Sequence, residues 1–138
     1  EYGRNQPADV ALTMGLRYAL TLALENPPWG HFVAAVTRAG DPLSQGFGIR
    51  IAADILRGRD EGLFEFTDIG AAVAVAGGVF LAGVIGVTSG SLLARSPSEA
   101  TRHALLALGV PNARAQALAA QPLPRLDFAS LLVSPLAA

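Results

Sequence analysis

The sequence predicts an all-α fold, a bundle of about six helices, and three observations carry that reading. Proline and glycine punctuate the chain at regular intervals. The apolar runs between them are rich in alanine and leucine rather than in β-branched residues bounded by hairpin turns. Several of those runs begin or end on residues with a known mechanism for starting or stopping a helix.

The first helix is expected from Pro7 to Glu25, with Pro7 in the first turn and Asn26-Pro27-Pro28 as the stop. Between Val10 and Leu24 it carries Arg17 as its one charge, so it is apolar nearly all round and belongs in the centre of the fold. A short helix follows over 28–39, closed by Gly40-Asp41-Pro42. A third is expected from Leu43 to Arg57, where Phe47, Ile51 and Ile55 recur every fourth residue and Arg50, Asp54 and Arg57 mark the wet side. Gly58 and Gly62 bracket the charged connector Arg59-Asp60-Glu61, after which Thr67 or Asp68 can cap the next helix.

That next segment is uncharged from Ile69 to Ala94. Gly70, Ala74, Gly78, Ala82, Gly86 and Gly90 fall at successive fourth positions, so one ridge of a helix over 68–94 carries almost no side chain. Glycines in a helix each cost up to about 1 kcal/mol relative to alanine, so the segment needs packing to stay helical, and a bare ridge lets another backbone come close. Ser96-Pro97-Ser98-Glu99 has capping-box spacing with proline in the first turn, and Gly109 then Pro111 stop the helix it starts. A last helix spans 112–120 and leads into a proline-containing tail. The whole is expected to be one domain, 1–138, with 1–6 and 122–138 extended or loosely ordered.

Composition narrows the function. The chain is 51% hydrophobic and 15% charged, so a partner, an apolar ligand or a membrane must take the surplus apolar surface. Ten basic and eleven acidic residues nearly cancel, leaving no broad positive field for nucleic acid. With no cysteine there is neither a disulfide framework nor a thiolate, which fits a reducing, cytoplasmic setting. No charged leader followed by an apolar run reads as a secretory signal. His31 and His103 stand apart without metal-ligand spacing, so no metal site is expected. The serines lack a paired base, and the carboxylates near Asp60, Glu61, Glu65 and Asp68 suit a solvated loop and a helix start. No catalytic residue, no cofactor and no enzymatic activity are therefore expected. The aromatics suggest an interior ligand space lined by Met14, Arg17, Tyr18, Trp29, Phe32, Phe47, Ile51 and Phe80, with Thr88 as a further polar group.

Three segments carry a family resemblance: Glu25-Asn26-Pro27-Pro28-Trp29-Gly30, Ile55-Leu56-Arg57-Gly58-Arg59-Asp60-Glu61-Gly62-Leu63-Phe64, and Ala107-Leu108-Gly109-Val110-Pro111. In their order the chain resembles the C-terminal, ligand-binding half of TetR-family transcription regulators over nearly its whole length. The resemblance implies a small, mostly apolar effector, a homodimer built as a four-helix bundle from two helices of each subunit, and DNA binding through an N-terminal helix-turn-helix domain that this sequence does not contain. The dimer face would then comprise Gly70, Ala74, Gly78, Ala82, Gly86 and Gly90 with Ala100, Ala104, Leu105 and Leu108. Such a domain works without a membrane. Two other readings compete: a small membrane protein spanning the bilayer at 69–94, and a small helical enzyme without a recognisable motif.

Overall fold

A computed structural model describes residues 5–38 and 42–125, and the side chains of these except 42–47. Six α-helices follow one another: α1 (Ala8–Glu25), α2 (Pro27–Arg38), α3 (Pro42–Asp60), α4 (Ile69–Thr88), α5 (Ser96–Ala107) and α6 (Asn112–Ala120). α1 packs on every other helix, touching α2, α3, α4, α5 and α6, while α4 lies against α1, α2, α3 and α5. These two helices are the axis of the bundle.

The core is aliphatic. Leu12, Leu16 and Leu20 of α1 meet Ile55 of α3, Phe80 and Val84 of α4, Leu105 of α5 and Leu118 of α6. The expected position of α1 at the centre follows from this packing, but its polar residues have a role that apolar patterning does not reveal. Asp9, Thr13 and Arg17 sit at every fourth position and all are buried. Asp9 is paired with Arg114 at 2.9 Å, Thr13 donates to the Asp9 carbonyl at 2.6 Å, and Arg17 donates to the carbonyls of Leu118 and Gln121. This polar line fastens α6 to α1, and it places a cation on the carbonyl end of α6, where the helix dipole favours one.

Three helices end on a glycine in the left-handed region: Gly62 (φ 73) after α3, Gly90 (φ 74) after α4 and Gly109 (φ 83) after α5. After α5, Gly109 donates to the Leu106 carbonyl and Val110 to the Leu105 carbonyl, the paired bonds of a Schellman stop. Gly62 and Leu63 do the same to Arg59 and Gly58 after α3, which therefore runs past the expected end at Arg57. Gly90 overturns the expected extent of α4: the helix stops at Thr88 instead of continuing to Ala94, and the Leu92 amide returns to the Gly86 carbonyl.

Asp68 caps α4 by accepting from the Ala71 amide at 3.1 Å. The capping box expected at Ser96 does not form. Ser96 is already inside α5 with Pro97, and its hydroxyl accepts from the Leu93 amide of the preceding turn. The connector between α3 and α4 is held close to the body of the fold. The Phe64 ring covers Gly58, the Glu65 amide donates to the Leu108 carbonyl, and Arg59 lies over the Phe66 ring at 5.6 Å.

Candidate functional site: the outward face of helix α4

α4 is a 20-residue helix without a charge, and only one stripe of it serves the core. Ala72, Ala76, Phe80, Val84 and Val87 point inward and are buried. Gly70, Ala74, Gly78 and Ala82, flanked by Ala71 and Val75, point outward and are exposed. In the most apolar part of the helix, 33% is buried in this chain. By length and composition it is the one helix among the described residues that could cross a membrane.

Its glycines divide by what faces them. A Cβ on Gly83 would meet Leu20 of α1 at 2.5 Å, and one on Gly86 would meet Leu92 at 2.5 Å. Those two positions are small because the chain itself fills the space. A Cβ on Gly78 would meet nothing within 4 Å among the described residues. Within one copy, Gly78 therefore has no packing reason to be glycine, although it costs the helix up to about 1 kcal/mol relative to alanine.

Beside the outward stripe, a cleft of about 340 Å³ opens between the C-terminal half of α4 and α5. Val79, Ala82, Gly83, Gly86, Leu92 and Ala100 line it together with Ser91. The Ser91 hydroxyl is already bonded to the Gly86 carbonyl, so the cleft offers an almost wholly apolar surface. Apolar side chains or hydrocarbon suit it; charge does not.

The expected interface residues thus fall into separate groups. Gly70, Ala74, Gly78 and Ala82 share the outward face. Gly86 is covered by Leu92, Gly90 lies beyond the end of the helix, and Ala100 is half-buried at the cleft. Ala104, Leu105 and Leu108 correct the sequence expectation: their exposures are 0%, 0% and 1%, because α5 lies against α1, α4 and α6 and spends this stripe on the chain's own core.

The expected ligand-lining residues do not enclose one open space among the described side chains. Phe80 is a core residue, and Trp29 and Ile51 are partly buried against the same core. Met14 is half-buried, whereas Phe32 is 58% exposed and points away from the interior. The Phe47 side chain lies outside the described residues. None of the expected lining residues with a described side chain borders the 340 Å³ cleft. Thr88 contributes no free polar group, since its hydroxyl is bonded to the carbonyls of Val84 and Ile85 in its own helix.

Arg17 and Tyr18 keep unused hydrogen-bonding capacity. Arg17 Nε and Tyr18 Oη are both buried without a partner among the described residues. Burial pushes the Arg17 guanidinium below its ordinary range. Burial first, and the charge of Glu25 second, push the Tyr18 hydroxyl above its own. Buried donors without acceptors are costly, on the order of 1–3 kcal/mol each, so these two atoms are the polar points in the interior that an incoming acceptor would relieve.

Among the described residues no group of three or more acidic or histidine side chains is placed to hold a metal. The family described as Tetracyclin repressor-like, C-terminal domain, matches over residues 6–121. Neither the curated proteins nor the solved structures give a match.

Proposed function

The chain belongs to the family of tetracyclin-repressor-like C-terminal domains, and from that premise we propose that it is the effector-sensing and dimerisation domain of a cytoplasmic transcription regulator. The observation that carries the reading is the outward stripe of α4, small, uncharged and open at Gly78. An exposed apolar ridge with a glycine that its own fold does not use calls for a backbone from elsewhere, and a second copy of α4 supplies one. The inward side of α4 is occupied by α1, α2, α3 and α5, which favours a protein partner over lipid for the remaining face.

On this reading a small, mostly apolar effector enters the interior, where Tyr18 Oη and Arg17 Nε supply the polar recognition. It carries out no catalysis and uses no cofactor. The effector favours one arrangement of the dimer, and a helix-turn-helix domain joined on the N-terminal side reads that arrangement as a spacing on DNA.

Analytical ultracentrifugation tests the reading. The chain is expected to sediment as a dimer at micromolar concentration. Gly78→Leu places a side chain where two backbones meet and is expected to weaken association by about 100-fold, equivalent to roughly 2.7 kcal/mol. A wild-type chain that stays monomeric at hundreds of micromolar, or a Gly78→Leu variant that associates as well as wild type, refutes it.

A further inference from the structure

Glu61 directly follows Asp60, the last residue of α3, and its amide donates to the Arg57 carbonyl, so its carboxylate stands at the carbonyl end of that helix, where it is electrostatically misplaced. Its partner explains the position. Glu61 Oε2 accepts from the Ala8 amide at 2.9 Å, across 53 residues of sequence, and so caps the N-terminus of α1. α1 needs this help because Pro7, the residue preceding it, offers no side-chain cap. One turn earlier, Arg57 Nη1 donates to the Gln6 carbonyl at 2.6 Å and to Glu61 Oε1 at 3.2 Å, while its Nη2 is held by Asp54 at 3.3 Å. The end of α3 therefore grips the backbone on both sides of Pro7.

α3 also reaches the interior. Ile55 is fully buried and Ile51 is packed against the core one turn earlier. We infer that Arg57 and Glu61 form a two-point clamp through which the position of α3 sets the path of the chain into α1. Resting on the function proposed above, the clamp is a regulatory link: a change of interior packing that moves α3 is passed to the segment by which a DNA-binding domain would be joined. Solvation and a neutral acceptor replace only part of the grip, so the charge of Glu61 matters as well as its oxygen atoms.

Amide hydrogen exchange on the whole chain tests the clamp without effector, DNA or dimer. Glu61→Ala is expected to speed exchange at Ala8 to Ala11 about fivefold, and Glu61→Gln by less, while Leu105 and Leu118 amides keep their wild-type rates. Ile51→Ala, which loosens α3, is expected to speed exchange at the same α1 amides in the wild-type chain and to add nothing in the Glu61→Ala background. An unchanged rate at Ala8 to Ala11 in Glu61→Ala overturns the inference. So does an equal rise at Leu105 and Leu118, or an Ile51→Ala effect that persists after Glu61 is removed. A monomeric chain would refute the proposed function and leave this result standing.

Discussion

Gly83 and Gly78 occupy the same helix five positions apart, and they are glycines for opposite reasons. Gly83 faces α1, where Leu20 fills the notch that its missing side chain leaves. Gly78 faces outward into open space. The inner half of α4 is packed within one polypeptide; the outer half meets nothing among the described residues at Gly78. A small residue in a helix is thus evidence of close approach only after its neighbour has been found.

The sharpest way to break this contrast is to give each glycine a methyl group. Gly83→Ala drives a Cβ into Leu20 and is expected to destabilise the fold by about 1–3 kcal/mol in urea unfolding, with Leu20→Ala recovering part of the loss through a coupled double mutant. If Gly83→Ala is neutral, the inner face is looser than the packing implies. Gly78→Ala is expected to have the opposite sign in the isolated subunit, a gain of up to about 1 kcal/mol from helix propensity, accompanied by weaker self-association. A gain in stability with unchanged association would show that the outer glycine has no partner.

The smallest effect concerns the interior polar atoms. Tyr18→Phe removes a buried hydroxyl that has no acceptor among the described residues, so it is expected to be neutral or stabilising by up to about 1 kcal/mol without effector and to weaken effector binding. The raised pKa of Tyr18 gives this a pH signature. Its neutral form is favoured in the fold, so its contribution is intact below the unfolded tyrosine value and is lost as pH rises through that value and the higher folded one. Thermal melting of wild type should fall more steeply than that of Tyr18→Phe across that alkaline window; parallel curves would place the hydroxyl in water.

Much of the helix order was legible because its signals are local. Asn26 closing α1, Asp68 capping α4, Gly109 ending α5 and the whole of α6 follow from residues within a turn of the boundary. The function of the small residues was less legible, because spacing by four identifies a ridge without saying what it meets. Gly90 continued that ridge in the sequence yet terminates the helix in space. Ala104, Leu105 and Leu108 form a stripe equally suited to a partner or to a core, and contacts with α1, α4 and α6 decide for the core. Arg17, the one charge between Val10 and Leu24, suggested a ligand, but its main partners are carbonyls more than a hundred residues further along the chain.

The turn at Gly90 has a geometric consequence. From Gly70 to Ala82 the outward ridge rises roughly 18 Å, and a helix-wide strip of that length offers on the order of 200 Å² per subunit. Durable pairing of two proteins buries about 800 Å² on each side. The chain doubles back after Thr88 and leaves Leu93 57% exposed next to Leu92, which lines the 340 Å³ cleft, so in the dimer proposed above the missing area would come from this returning segment and the rim of α5. The footprint of a mate would then be broad and lopsided, anchored on the glycine at one end and on leucine at the other.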